Sequence, residues 1–181
     1  MIKDLNYTKS TCEKYTLRFN KGMDWAVFTI DDTGIFQCHS SFGDYAYHWT
    51  AFGKNFKKFL CGIDKYYLLR KVSNPNYFDC DKYIESMKKL IIRQRKHYDI
   101  PKKQARELWS YFTTELEYET SYDLVCYQIM SNSLINDLCY HDTVNSEYMP
   151  EKDYSHSAIV FAEEIFPEFI KILKAEVEVV K

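Results

Sequence analysis

The apolar residues change their spacing once, near Gly53, and that change limits the folds open to the chain. Before it the period is two. Tyr15, Leu17 and Phe19 alternate with Thr16, Arg18 and Asn20, as in a strand with one buried face. After it the period is helical, with Phe56, Phe59 and Leu60 at i, i+3 and i+4. A sheet followed by helices predicts an α+β fold.

Turn residues divide the first part further. Asn20-Lys21-Gly22, Asp31-Asp32-Thr33-Gly34 and the stretch from Ser40 to Asp44 each hold a glycine that can take positive φ. Between them lie 24–30, rich in aromatic and β-branched residues, then about 35–40 and about 45–50. The expectation is a four-stranded antiparallel meander.

Gly62 is expected to end the first helix, and Asp64 to cap a second over 65–72. Ser73-Asn74-Pro75-Asn76 reads as a linker. Residues 80–98 carry apolar side chains at 84, 87, 90, 91 and 98. Asp99-Ile100-Pro101 breaks and restarts the chain, with proline in the first turn of a helix over 101–119 through Ala105, Leu108, Trp109 and Phe112. Ser121 caps a helix to about 140, residues 141–155 read as a loop, and Ser155 or His156 opens a last helix over 157–180 that Pro167 should kink or split. The organisation expected is a sheet with two short helices over 1–72 and a helical bundle over 79–181, the two able to form one compact domain.

Composition removes several function classes. Glycine numbers 5 of 181 residues, well under the average of about 7%. Three of the five fall in the sheet turns and two flank the first helix. None is left for the glycine-rich loop that cradles phosphates in P-loop and dinucleotide folds. Six cysteines stand at 12, 38, 61, 80, 126 and 139 without a C-x-x-C pair. They read as free thiols, and neither a metal nor a cofactor is expected. The first residues hold no apolar stretch of signal-peptide length. No apolar run reaches the ~20 residues of a membrane helix. A cytoplasmic chain without membrane contact is expected.

The net charge of −2 hides a strong asymmetry. Residues 1–81 sum to +2, residues 82–106 to +7 and residues 107–181 to −11. Lys82, Lys89, Arg93 and Lys96 recur at intervals that put them on one helical face, a candidate phosphate-contacting stripe. Glu115, Glu119 and Asp123 would form an acidic row if the helix ran on through Thr120 and Ser121. An antiparallel hairpin about residue 100 would bring Lys82 toward Glu119 and Arg93 toward Glu107, neutralising part of both.

Other candidates have plain structural readings. Tyr45, Tyr47 and Trp49 project from one sheet face and could stack bases, but no basic residue interrupts them, so core packing is the reading preferred. Cys38-His39 with Asp44 and His48 could form a nucleophile site only if the fold brought thiol and imidazole within hydrogen-bond reach. His141-Asp142, His156 and Glu163-Glu164 could supply acid–base pairs or cation ligands at generic spacing. The nucleophile-elbow, zinc-protease, EF-hand and P-loop motifs are absent.

One longer pattern stands out. It is Asp24-Trp25-Ala26 through Asp31-Asp32-Thr33-Gly34, then Ser40-Ser41-Phe42-Gly43-Asp44-Tyr45-Ala46-Tyr47-His48-Trp49, then Phe56-Lys57-Lys58-Phe59-Leu60 and Asp64-Lys65-Tyr66-Tyr67-Leu68. Over about 14–72 it resembles small proteins encoded by tailed bacteriophages and prophages. The resemblance implies phage origin and an accessory role, and it supplies no catalytic residues.

Together these observations lead to three expectations. The first is a non-enzymatic binder that inhibits a host nucleic-acid-targeting defence complex, of anti-CRISPR or anti-restriction type, presenting Glu115, Glu119 and Asp123 as a DNA-mimicking face. The second is a nucleic-acid-binding regulator using Lys82, Lys89, Arg93 and Lys96. The third is an enzyme centred on Cys38, His39, Asp44 and His48. A homodimer stays open in each case.

Overall fold

The computed structural model describes residues 6–97, 99–116, 119, 121–135 and 148–179. In chain order the strands are β1 (Glu13–Phe19), β2 (Asp24–Ile30), β3 (Ile35–Ser40) and β4 (Gly43–His48). The helices are α1 (Phe56–Leu60), α2 (Lys65–Val72), α3 (Cys80–Lys96), α4 (Lys102–Ser110), α5 (Tyr122–Ser131), α6 (His156–Val160) and α7 (Phe166–Val179). Wide π turns extend α4 over Tyr111–Glu115 and join α6 to α7 over Phe161–Ile165. The fold is α+β.

The chain forms two compact units. Unit 1 runs to Asn74 and resumes at Tyr154, and unit 2 is Pro75–Asp153 between. Sequence reading groups the last helix with the helical bundle; the structure places it with the sheet. Its apolar face explains the choice. Phe161, Ile165, Phe166, Phe169 and Leu173 repeat at helical spacing and share one core with Phe28, Phe36 and Tyr45.

Unit 1 is the meander that the turn signals predict, all antiparallel in the order β1-β2-β3-β4. Gly34 has φ 95° and Gly43 φ 122°. The Asp31 carboxylate accepts the N–H groups of Thr33 (2.9 Å) and Ile35 (3.1 Å), holding the β2–β3 turn. Alternation buries Ala26, Phe28 and Ile30 on β2 and Phe36 and Cys38 on β3. Phe169 lies flat on Phe28, centroids 4.1 Å apart, and Phe161 on Tyr45 at 3.9 Å. Tyr45 and Trp49 are thus core residues, as preferred above, and Tyr47 packs against Trp49. Asn55 caps α1 and Asp64 caps α2, each side chain accepting one N–H.

The expected interruption near Pro167 takes the form of a π turn, Phe161–Ile165, between α6 and α7. The turn widens so that the Phe166 N–H donates to Phe161 O, five residues back. This wider path accommodates a residue that lacks an N–H and crowds the carbonyl four back.

A polar clasp ties β1, α1 and α7. Lys57 Nζ donates to Glu13 Oε2 (2.6 Å) and Glu176 Oε2 (2.7 Å), and the Tyr15 hydroxyl, with its single proton, lies within reach of either carboxylate, at 2.6 and 2.9 Å. The hydrogen bonds from Lys57, then Tyr15, hold Glu13 below the usual carboxylate range. Burial opposes the Lys57 ammonium, but the bonds to Glu13 and Glu176 outweigh it and keep lysine charged beyond its ordinary range. The sign follows from linkage. Glu13 contributes stability that is full above its unfolded pKa of about 4.3 and lost as pH falls through the lower folded value. Lys57 contributes stability that is full below about 10.4 and lost as pH rises through the higher folded value. Lys57→Met should therefore cost roughly 1–2 kcal/mol at neutral pH, and the gap to wild type should narrow at about pH 3. Urea unfolding at both pH values checks this, and a gap independent of pH would contradict the clasp.

Unit 2 packs α3, α4 and α5 around Tyr83, Met87, Leu90, Leu108, Phe112, Val125 and Ile129. Ile84, Met87, Leu90 and Ile91 are all buried, as the spacing predicts; residue 98 lies outside the described residues. The Tyr83 hydroxyl donates to the carbonyl of buried Tyr148 at 2.6 Å. The Tyr148 hydroxyl donates to Gln94 Oε1 at 2.5 Å, which satisfies a buried amide oxygen. Pro101 sits at the N-cap of α4 rather than inside its first turn. Thr113 and Thr114 hydroxyls bond back to the carbonyls of Trp109 (2.7 Å) and Ser110 (2.6 Å) in the widened turn that ends the helix early. Ser121 caps α5 as expected, but Asn132 closes it at Ser131 instead of near 140; residues 136–147, with Cys139, His141 and Asp142, lie outside the described residues. Where the chain enters and leaves this unit, Tyr77 and Asp153 exchange two backbone hydrogen bonds of 3.0 and 2.7 Å.

A basic face and apolar groove on the helical unit

The basic stripe is set by the start of α3. The Asp79 side chain accepts the Lys82 N–H and fixes where the helix begins. From there Lys82, Lys89, Arg93 and Lys96 share one exposed face, as their spacing predicts. Arg93, Arg95 and Lys96 also occupy the last turn, where positive charge offsets the helix dipole.

Lys82, Lys88 and Lys103 form ion pairs other than those of the hairpin argument. Lys82 pairs with Asp153 at 3.0 Å, not with Glu119. Lys88 pairs with Glu85 at 3.0 Å, and Lys103 approaches Glu107 at 3.9 Å. Among the described residues no carboxylate forms an ion pair with Lys89, Lys96, Lys102 or Arg106.

Beside the stripe, the turn between α3 and α4 opens a groove of about 700 Å³. Its floor is apolar: Ile91 and Ala105 are buried, while Ile92 and Trp109 remain 46% and 39% exposed. Arg95, Lys96, Lys102 and Arg106 form its rim. Arg95 Nη1 donates to Ile100 O at 3.1 Å, which braces the turn. The Lys88 ammonium stands 5.9 Å from the Trp109 ring centre. No acidic residue lines the groove among the described residues. Sequence reasoning placed Trp109 on the buried face and passed over Ile92. The available signal was the run Leu90-Ile91-Ile92, because three consecutive helical positions cannot all face one core.

The acidic candidates do not form a row. Glu115 ends the wide turn after α4. Ser121 is extended (φ −87°, ψ 114°) as the N-cap of α5, so no helix runs on through Ser121. Glu119 Oε1 accepts the Ser121 N–H at 2.9 Å, and Asp123 sits in the first turn of α5, complementing its dipole. The three carboxylates belong to three local settings.

The Cys/His candidate is not assembled. Cys38 and His39 are neighbours on a strand and point to opposite faces. Cys38 is buried in the core, where burial pushes its thiol up to about 12. His39 Nδ1 meets Asp44 Oδ1 on the exposed face, beside the Trp25 ring. His48 Nε2 lies 3.0 Å from Thr33 O. An imidazole–carboxylate pair forms, but the thiol proposed as nucleophile is on the other side of the sheet. Glu163 pairs with Lys65 at 2.7 Å. Among the described residues no group of three His, Cys, Asp or Glu side chains could hold a metal ion. Among them, too, no helix is long and apolar enough to cross a membrane.

Fold and surface together define a two-unit α+β protein whose helical unit presents an exposed basic face beside an apolar groove. A family model described as a phage family, Phage_phiTE_072, matches residues 5–175. The chain belongs to this phage family. The match extends the resemblance seen over 14–72 to both units. No curated protein and no solved structure matches the chain.

Proposed function

We propose that this phage protein is a non-catalytic nucleic-acid binder acting in the host cytoplasm, with α3 as its phosphate-contacting element. The observation that carries the reading is the row Lys89, Arg93, Lys96, exposed on one helical face, with Lys102 and Arg106 adding charge across the turn. Residues 89 to 96 span roughly 10 Å of helix axis. That length matches about three phosphates of a strand at 3.4 Å per nucleotide. Phosphate contacts of this kind release counterions, so binding should weaken steeply with salt.

Replacing Lys89, Arg93 and Lys96 together by alanine should reduce the slope of log K against log salt by about 0.7–0.9 per lost contact. Titrating a labelled oligonucleotide at several salt concentrations measures it. An unchanged slope, or no binding by the wild type at low salt, would refute the reading.

A second reading is favoured by the phage family itself: stoichiometric inhibition of a host nucleic-acid-targeting defence complex of anti-CRISPR or anti-restriction type. It would use Glu115, Glu119 and Asp123 as a discontinuous acidic patch around the Ser121 cap. Co-purification with such a complex, lost when the three carboxylates become amides, supports it. The absence of any complex at micromolar concentration removes it.

A further inference from the structure

We infer that the groove at the α3–α4 turn takes an unpaired nucleobase, which makes single-stranded nucleic acid the preferred ligand. The inference rests on the nucleic-acid reading above and adds the form of the polymer. Three observations converge on one spot. The indole of Trp109 is part exposed at the groove floor beside Ile92. Arg95, Lys96, Lys102 and Arg106 ring that floor, and no carboxylate among the described residues lines it. Lys96 belongs both to this rim and to the exposed stripe of α3, so a strand lying along the stripe passes the groove.

The chemistry selects the occupant. The cationic rim favours an anionic ligand, while Ile91, Ile92, Ala105 and Trp109 offer no side-chain hydrogen-bond donors or acceptors except the indole N–H. A flat apolar group carried on a phosphate chain satisfies both. In a duplex the base faces are stacked inside, and a protein helix at the surface meets only phosphates and base edges. In a single strand a base can turn outward and stack on an aromatic ring whatever its identity. The groove therefore gives a preference for strand form and little for sequence.

The test uses the full chain, a dT oligonucleotide and a duplex of equal length at low salt. Wild type should bind the single strand more tightly. Trp109→Ala should weaken that binding by about tenfold, within the range for loss of one stacked base, and leave duplex binding unchanged. Trp109→Phe should recover most of the affinity. Trp109 is the one tryptophan of unit 2, Trp25 and Trp49 lying in unit 1, so the fluorescence lost in Trp109→Phe should be the fluorescence that dT quenches. Circular dichroism verifies that both variants keep the wild-type fold. Equal affinity for both forms, unaffected by Trp109→Ala, would overturn the inference and leave the stripe reading standing. Failure to bind either polymer would overturn both. Trp109-dependent binding of an acidic aromatic peptide, with none of dT, would overturn the inference and assign the groove to a protein partner instead.

Discussion

Phe169→Ala should destabilise unit 1 by about 3–5 kcal/mol, the range for removing a buried phenyl ring. Phe169 has no exposed surface and lies against Phe28, Tyr15, Phe36 and Phe166, with ring centroids 4.1 to 6.5 Å away. Four rings around a vanished fifth cannot close the space without pulling on the strands that carry them. Phe169→Leu keeps most of the volume and should cost under about 1.5 kcal/mol. In a Trp109→Phe background Trp25 and Trp49 alone report, both in unit 1, so urea unfolding followed by fluorescence separates it from unit 2. A loss below about 1 kcal/mol for Phe169→Ala would mean that the sheet does not depend on α7.

Gly34→Ala should cost at least about 3 kcal/mol, from two sources that add. The residue holds φ 95°, where a side chain is strained by about 1–3 kcal/mol. A Cβ there would also stand 2.0 Å from Trp49 O and 2.7 Å from the Phe52 ring. The ring could swing away, but Trp49 O cannot easily do so, because the N–H of Trp49 is bonded to Gly34 O at 2.9 Å. Gly22 supplies the control. It has φ 93° with nothing within 4 Å of the Cβ position, so Gly22→Ala carries the conformational penalty alone, about 1–3 kcal/mol. Thermal unfolding of the two variants compares them directly. Equal losses would show that the clash at Gly34 is relieved without cost.

The local features were legible because short-range chemistry decides them. Asp31 and Gly34 write the β2–β3 turn into four residues, and Asp64, Ser121 and Ser155 each accept an N–H three residues on. What sequence reading missed depends on partners distant in the chain or on competing local bonds. The apolar face of α7 fits a bundle or a sheet equally well by periodicity, and only the three-dimensional core chooses the sheet. The acidic row failed for a reason present in the sequence: Ser121 cannot both cap α5 and lie inside a continuous helix. The basic stripe was readable as a helical face. The groove beside it was not, since its floor combines Ile92 of α3 with Trp109 of α4 and exists only once those helices pair. The thiol and imidazole of Cys38-His39 were separated by strand alternation alone, which the proposed site had to violate.

The insertion of unit 2 into unit 1 has a consequence in time. The aromatic face formed by Phe28 and Phe36 is complete when β4 emerges at His48, yet its cover begins at His156. At about 5–20 residues per second of synthesis, the sheet waits on the order of 5–20 s for that cover. During the wait its inner aromatic rings have only α1 and α2 to shield them. The two backbone bonds between Tyr77 and Asp153 act on the same interval. Once formed, they bring the two ends of the intervening segment together, and the closure entropy left for docking α6 and α7 is that of a short loop rather than a long one.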